Sequence, residues 1–276
     1  MPPLVLSLVL ASALLHASWN AMLRSGADRL WSISVMCAMS GVASAAILPF
    51  VPLPAPAAWP FIVLSAALQV GYCLFLVRAY RDGLLAQVYP IARGTAPMLV
   101  ALGAALFAGE HLGARAIIGL ALVCGGIMGL SLGRDRADLR SVLAALICGA
   151  FIAGYMVSDG LGVRRAGDAL SYVAWMSMVQ GVPMPLIYLA IRRRWPPVAW
   201  DRETAKALGG GLISLLAYGV VVWAMVGADM ARVSGLRETS ILFAGVIGAL
   251  FLKEPFTLRR GLSAVLITAG ALCLAG

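Results

Sequence analysis

Residues 93–115 read RGTAPMLVALGAALFAGEHLGAR, and residues 237–259 read RETSILFAGVIGALFLKEPFTLR. The two stretches align at a constant offset of 144 residues, and seven of the 23 paired positions are identical. Chance would supply about two or three identities in so apolar a chain, so we infer an internal duplication. Each copy also places an arginine inside a hydrophobic run. An internal repeat that carries a buried charge is typical of a membrane transporter.

Composition indicates that most of this chain is surrounded by lipid. Hydrophobic residues make up 62% of the chain and charged residues only 12%, whereas a soluble domain has about 25% charged residues. The net charge of +9 does not indicate a nucleic-acid partner, because the arginines lie in short gaps between apolar runs, as in cytoplasmic loops. The five cysteines lie within apolar runs without metal-ligand spacing, so we interpret them as core residues and expect no cofactor.

Ten segments are long and apolar enough to cross a membrane, since a crossing helix needs about 20 apolar residues. Short gaps with turn residues and charges separate them. The first segment lacks a basic leading region, so we interpret it as a span and not as a signal peptide. The predicted spans are 3–23, 30–51, 58–79, 84–108, 114–132, 139–158, 169–191, 203–227, 231–252 and 256–275.

The duplication predicts how the ten spans are organised. Spans four and five carry the first copy of the repeated stretch, and spans nine and ten carry the second. Each half therefore holds five spans, with predicted boundaries at 1–133 and 134–276. Because five is odd, the second half enters the membrane from the opposite side. The predicted fold class is all-α integral membrane, with ten transmembrane helices in two inverted-topology five-helix repeats.

The basic residues predict the orientation of the chain. We call the side with both termini side A and the opposite side side B. Side B receives fifteen lysines and arginines and side A four, with Arg93 and Arg237 counted as intramembrane. The positive-inside rule places side B in the cytoplasm. We therefore expect a multi-pass protein of a bacterial-type inner membrane with both termini outside.

Two motifs resemble a known family. Val88-Tyr-Pro-Ile-Ala-Arg-Gly-Thr-Ala-Pro97, followed by Ala104-Ala-Leu-Phe-Ala-Gly-Glu110, resembles the fourth helix of EamA-type members of the drug/metabolite transporter superfamily. Leu236-Arg-Glu-Thr-Ser-Ile-Leu-Phe-Ala244, followed by Gly248-Ala-Leu-Phe-Leu-Lys-Glu254, resembles their ninth. The resemblance implies a central cavity between the repeats, and export of amino acids or similar small metabolites by alternating access. In many relatives the termini are cytoplasmic, whereas the charges here favour the opposite.

Arg93, Arg237 and Glu238 are the candidate central charges. An arginine at bilayer depth costs at least about 2.5 kcal/mol unless it is paired or meets water. Pro90 and Pro97 flank Arg93 and predict a locally opened helix, which is tolerated only where it faces protein or a wet cavity. The guanidinium suits a carboxylate or phosphate. Glu238 is expected to pair with an arginine across the cavity or to take a proton; a purely structural ion network is the alternative.

Aromatic and polar residues inside other spans are candidate lining residues. His16, Trp19 and Asn20 share one face of span one, and His16 is a weaker candidate for carrying a proton. Aromatic rings there suit an apolar or aromatic substrate side chain, although Tyr and Trp also favour the membrane interface. With the central charges, the full set of predicted substrate-binding residues is Arg93, Arg237, Glu238, His16, Trp19, Asn20, Gln69, Tyr72, Tyr89, Tyr155, Tyr218 and Trp223.

Three acidic residues are expected to serve structure only. Glu110 and Glu254 each lie in a tight turn before a helix, where the N-terminal dipole favours an anion. Asp159 follows the predicted end of span six, so we expect it to cap that helix or face the surface.

Transport is the function that fits these residues best. A membrane enzyme would need a nucleophile–base pair or a metal-binding cluster, and the chain has only two histidines and no such motif. A receptor or structural subunit would leave the paired arginines unexplained. No P-loop is present, so transport is expected to be secondary or facilitated. Amino-acid efflux is the first hypothesis, and exchange of phosphorylated or phosphonate-like anions is the second. Expected partners are a small-molecule substrate, membrane lipid and, for coupling, a proton, in a monomer or weak homodimer.

Overall fold

The computed structural model describes residues 1–26, 28–81, 85–130, 139–252 and 257–276. Within these ranges all regular structure is helical, which confirms the predicted all-α membrane fold. Two single-turn 3₁₀ helices, Leu48–Phe50 and Pro56–Ala58, lie between the second and third helices. The α-helices are α1 Pro3–Ser25, α2 Arg29–Ile47, α3 Trp59–Arg81, α4 Leu85–Ala108, α5 Ala114–Gly129, α6 Leu139–Val163, α7 Ala169–Gly181, α8 Pro183–Arg192, α9 Arg202–Ala224, α10 Met230–Arg237, α11 Ser240–Leu252 and α12 Leu258–Ala275.

Twelve helices in these ranges correspond to ten crossings because two crossings are discontinuous. Eight segments are long and apolar enough to span a membrane, and α5 is a shorter apolar helix. The helices α7 and α8 form one span, which Val182 and Pro183 interrupt. The remaining crossing consists of α10 and α11, with a turn at Glu238 and Thr239 between them.

Contacts between loops show that successive loops lie on alternate sides. On side A, hydrogen bonds and ion pairs join the termini and the even-numbered loops, and they connect Met1 to Ala275, Arg115 to Leu272, Glu110 to Arg164, and Ser171 to Pro52. At the other end of α1, Arg192 forms an ion pair with Asp28 at 3.1 Å, and Trp31 Nε1 donates to the carbonyl of Pro197 at 2.7 Å. The loops that follow α1 and α8 therefore share side B.

Helix packing repeats with the symmetry of the duplication. Helix α3 packs on α6, and its counterpart α9 packs on α1. Helix α4 packs on α6, while α10 and α11 pack on α1. The last helices of the two halves, α5 and α12, pack on each other. The two five-span units are thus related by a pseudo-two-fold axis. The predicted boundary between residues 133 and 134 lies outside the described residues and stays a prediction.

Side chains of short polar residues cap several helices at the loops. Asp28, Asp168 and Asp201 accept a hydrogen bond from the backbone three residues later, in α2, α7 and α9. Each bond satisfies a backbone N–H that has no partner inside its helix. At α9 the backbone N–H of Thr204 lowers the pKa of the exposed Asp201 carboxyl. The benefit of this cap is present at neutral pH and is lost as the pH falls through that lowered pKa.

Glycines allow α5 and α12 to pack with their backbones in contact. A Cβ at Gly119 would lie 2.8 Å from the carbonyl oxygen of Gly270 and 2.9 Å from Cβ of Cys273. A Cβ at Gly270 would lie 2.6 Å from the carbonyl oxygen of Gly119. Lipid supplies no hydrophobic drive between helices, so close packing of small residues is the main attraction here.

Replacing Gly119 with valine should destabilise the protein by about 1–3 kcal/mol, because the new side chain overpacks against the backbone of α12. Gly125→Val is the matched control on the same helix, since a Cβ at Gly125 meets nothing within 4 Å. Thermal unfolding of both variants in the same detergent measures the difference. Equal melting temperatures for the two variants would contradict this account of the α5–α12 interface.

Candidate functional site

The centre of the protein contains a buried cluster of three charged residues. Arg93 lies on α4, and Arg237 and Glu238 lie where α10 ends. The Nε of Arg93 is 2.9 Å from Oε2 of Glu238, and Nη2 of Arg93 donates to Oγ of Ser240 at 3.2 Å. The three charged residues are at most 4% exposed. The pairing between Arg93 and Glu238 joins the two repeats and leaves a formal charge of +1 on the cluster.

The local backbone differs from the sequence prediction around Arg93. Helix α4 continues through Pro90 and Pro97, so the predicted opening of this helix is not seen. The interruption occurs in the other repeat, after Arg237. There the N–H of Glu238 bonds to the carbonyl of Gly235, and the N–H of Thr239 bonds to that of Leu236. This tight turn places the Glu238 side chain against α4.

Arg237 lies against sulfur and aromatic rings and not against a carboxylate. Its Nη1 donates to Sδ of Met156 at 3.4 Å, and its Cζ lies 5.4 Å from the ring centre of Tyr218. A guanidinium over an aromatic ring is favourable, the more so when both are desolvated. No ion pair between Arg237 and an acidic group is seen among the described side chains.

Three tyrosines form a continuous aromatic wall beside the charged cluster. The rings of Tyr72 and Tyr155 are 6.0 Å apart, and those of Tyr155 and Tyr218 are 5.6 Å apart and nearly perpendicular. The residues come from α3, α6 and α9, which lie in different parts of the chain. The structure therefore brings together three predicted site residues that the sequence alone could not place next to one another.

Asp159 is a second buried charge centre, and the expectation that it caps a helix or faces the surface is wrong. Helix α6 continues to Val163, beyond the predicted end at residue 158, so Asp159 lies inside the protein with 0% exposure. The hydroxyl of Tyr218 donates to Oδ2 of Asp159 at 2.6 Å, and that of Tyr172 donates to Oδ1 at 3.0 Å. No sequence signal marked this residue except its charge in an apolar run.

Tyr218 is also one of the residues that line a central cleft. The cleft contains about 720 Å³ of space, part of which is open to the outside. Its lining residues come from five spans and all are uncharged: Trp19, Ile33, Met36, Cys37, Ser40, Gln69, Val70, Tyr72, Cys73, Ser177, Gln180, Gly181, Met184, Ser214, Leu215 and Tyr218. Sequence reasoning missed the contributions of α2 and α7, although Ser40 and Gln180 are polar residues within apolar spans.

The remaining predicted site residues lie at varied distances from the cleft. Trp19 lines it and donates through Nε1 to Nδ1 of His16, which is buried. Asn20 donates to the backbone carbonyl of His16 and is not a lining residue. Trp223 is 42% exposed and away from the cleft, so the structure does not bring it to the site. The Tyr89 side chain lies outside the described residues.

Glu110 connects the two repeats at side A. Its Oε1 forms an ion pair with Arg164 at 2.6 Å, and its Oε2 accepts from the backbone N–H of Met230 at 2.9 Å. It thus binds the start of α10 and not the helix that follows it in sequence, contrary to our expectation. Arg164 also donates to the carbonyls of Met225 and Ala228 at the end of α9. Glu254, its counterpart in the repeat, lies outside the described residues.

Comparison with protein families gives a match to this architecture. The model described as the EamA-like transporter family matches residues 139–276, which is half of the chain. The chain belongs to the EamA-like transporter family. A search among curated proteins gives no match. One solved crystal structure of a protein aligns with a TM-score of 0.76 and 17% identity, and the alignment covers 98% of this chain and 94% of the other.

Membership of the EamA-like family makes this protein a membrane transporter of the drug/metabolite transporter type, with a small-molecule substrate. The solved structure, at its low identity, shows the fold alone. It covers nearly the whole chain, whereas the family model covers the second half. The family model therefore confirms the resemblance inferred from the repeated motifs, and the solved structure agrees with the fold.

Glu238→Gln should destabilise the transporter by about 3–5 kcal/mol, because it leaves Arg93 buried without its anion. Replacing both partners, with Arg93→Met and Glu238→Leu together, should recover most of that loss, since no uncompensated charge remains. Thermal unfolding in detergent compares the single and double variants with the parent chain. If the double variant melts as low as Glu238→Gln, the pair is not the source of the stability.

Proposed function

We propose that this EamA-like transporter exports zwitterionic amino acids, or closely related metabolites, across a bacterial-type inner membrane by alternating access. The observation that carries the proposal is the position of Arg237, a buried arginine that pairs with no carboxylate of the described residues and is stacked on a tyrosine that lines the central cleft. A substrate carboxylate that reaches Arg237 would complete the pairing that the protein itself leaves open.

The charge of the cluster favours a substrate with one carboxylate. Glu238 neutralises Arg93 at 2.9 Å, so a single positive charge remains for the substrate. An exchanger of phosphorylated or phosphonate-like anions, the second candidate, would use both arginines on a dianion. That use requires Glu238 to release Arg93, which would leave a carboxylate buried without a partner. The ion pair therefore supports the amino-acid proposal over the phosphonate alternative.

The lining of the cleft favours a neutral substrate side chain. Met36, Leu215 and Tyr72 offer apolar and aromatic surface, and no lining residue is charged. Aromatic and apolar walls with a few polar groups are the usual composition of small-molecule sites. We expect leucine-like and phenylalanine-like side chains to fit best.

The repeat architecture supports alternating access. Inverted repeats allow one unit to adopt the conformation of the other, which exchanges the side from which a central site is open. On side A the two halves are joined by Glu110 and Arg164. Export as the direction rests on the family resemblance.

Arg237→Gln should raise the Kd of the transported amino acid by about 10–100-fold. This corresponds to the free energy of one hydrogen bond to a charged group. Arg232→Gln is the matched control, since Arg232 lies on the same helix but pairs with Asp229 at 3.0 Å. Ligand-dependent thermal stabilisation with a panel of amino acids identifies the best substrate, and its decarboxylated analogue should not bind. Movement of phosphate esters without any amino acid in proteoliposomes would overturn the proposal.

The charge bias gives a separate prediction for orientation. A reporter that is active only in the cytoplasm should stay inactive when fused after Gly276, because side A carries few basic residues. The same reporter inserted after Trp195, in the side B loop between α8 and α9, should be active. The reverse pattern would place both termini in the cytoplasm, as in many relatives.

A further inference from the structure

Asp159 is not explained by the site described so far. A fully buried carboxylate is costly unless it is paired. Asp159 has two tyrosine hydroxyls as partners but no arginine or lysine within ion-pair distance among the described side chains. Such a costly arrangement, inside a membrane span and next to the cleft, suggests a role in transport.

Two chains of hydrogen bonds connect Asp159 to the cleft. Tyr218, a lining residue, donates directly to Oδ2 of Asp159 at 2.6 Å. Gln180, also a lining residue, donates through Nε2 to Oγ of Ser65 at 3.1 Å, and the Ser65 hydroxyl interacts with Asp159 in turn. Both chains run in the same direction, with every donor pointing towards the carboxylate.

The direction of these hydrogen bonds determines which donor and acceptor groups remain for a ligand. Because Tyr218 uses its proton on Asp159, its oxygen faces other partners only as an acceptor. Gln180 uses its amide nitrogen on Ser65, so its carbonyl oxygen remains as an acceptor. Gln69 lines the same cleft, and its buried Oε1 has no hydrogen-bond partner in the part of the chain that the structure describes. Three acceptor oxygens therefore belong to one cleft.

We propose that Tyr218, Gln180 and Gln69 form an ammonium-binding subsite, and that Asp159 behind it exchanges a proton for the substrate ammonium group. The inference rests on the proposed amino-acid function. It adds a site for the ammonium group of the substrate to the carboxylate site at Arg237. An alkylammonium has three N–H donors and no acceptor, which matches three acceptor oxygens. Arg237, stacked on the same Tyr218, holds the carboxylate end.

The exchange follows from the reversal of one hydrogen bond. When a proton forms an O–H bond with Asp159 Oδ2, that oxygen becomes a donor to Tyr218. The Tyr218 hydroxyl proton then points towards the cleft, where it repels an ammonium, and the negative charge behind the subsite is gone. Proton and substrate are therefore mutually exclusive. One zwitterionic substrate molecule would leave the cell for each proton that enters, which is proton antiport.

No other ionisable group of the described chain competes for this role at Asp159. Ser65 of α3, Tyr172 of α7 and Tyr218 of α9 contact Asp159 directly. The other polar and charged groups on or beside the helices packed on α6 are Arg93 of α4 with Glu238, Arg237 of α10, Tyr155 of α6 itself, and Arg164 and Arg165, which follow α6. The 3₁₀ helix Pro56–Ala58 contributes none. Arg164 and Arg165 bind backbone carbonyls at side A, and neither forms an ion pair with Asp159.

The test uses the full chain in detergent and in proteoliposomes, with the amino acid that stabilises it best. Its apparent Kd should rise by about tenfold per unit fall in pH once Asp159 binds the proton, since the two ligands compete. The deaminated analogue, which keeps the carboxylate, should bind at least tenfold more weakly. An outward substrate gradient should drive protons inward, as reported by an entrapped pH dye.

Three variants separate this role from a structural one. Asp159→Asn mimics the protonated carboxyl, so at every pH it should bind the amino acid at least tenfold more weakly than the parent chain does at high pH, and it should not move protons. Tyr218→Phe keeps the ring under Arg237 but loses the hydroxyl, so it should lose the preference for the α-amino group. Tyr172→Phe removes a hydroxyl that does not line the cleft, so it should keep that preference, while its pH response should move to higher pH because Asp159 loses one donor. Glu203 is a surface carboxylate that pairs with Lys206, so Glu203→Gln is the control for the loss of one negative charge.

The outcomes distinguish the two proposals. If no amino acid binds the parent chain, the proposed function fails and the subsite fails with it. If an amino acid binds with the same Kd at all pH values, or its deaminated analogue binds equally well, only the ammonium subsite is wrong. If Asp159→Asn does not fold, the pH dependence and proton movement of the parent chain and of Tyr218→Phe still decide the question.

Discussion

The buried ion pair between Arg93 and Glu238 is the constraint on which the centre of this transporter depends. Neither residue is stable at bilayer depth alone, so the pair fixes the distance between α4 and the turn that follows α10. That turn sets the direction of Arg237, which lies next to Glu238 in the chain and points to Met156 and Tyr218 instead. One pairing therefore satisfies one arginine, and the other forms no ion pair among the described side chains.

The asymmetry of the repeat at this point has a steric cause. Gly94 occupies the position in the first half that Glu238 occupies in the second. A Cβ at Gly94 would lie 2.6 Å from Cγ of Met128 and 3.2 Å from the carbonyl of Cys124, so α5 packs too closely on α4 for a side chain. In the second half the chain turns at this position and leaves room for a carboxylate. The duplication supplied two arginines, and this difference in packing gave them different environments.

Sequence reasoning found the charges but not the shape of the site. A charged residue in an apolar run is conspicuous, which is why Arg93, Arg237 and Glu238 could be singled out. Hydrophobic periodicity could not show which face of α2 or α7 lines the cleft, because lipid-facing and protein-facing surfaces of a membrane helix are similarly apolar. Asp159 was misplaced because the end of α6 was set at residue 158, five residues before the helix ends.

The two polar centres share a property that the sequence does not reveal. Each half exchanges its first span with the other, since α1 packs on α9 while α6 packs on α3 and α4. This gives two bundles, one that contains α1 and α9 and one that contains α3, α4 and α6. Few residues of α6 and α9 contact each other. The bond from Tyr218 on α9 to Asp159 on α6 crosses this boundary, as does the ion pair from Arg93 on α4 to Glu238 after α10. Apolar packing holds each bundle together and also joins the two halves through α5 and α12, whereas these two contacts across the boundary are polar and directional. Because such contacts are lost over small displacements, a ligand or proton that alters them can shift the balance between two arrangements of the bundles.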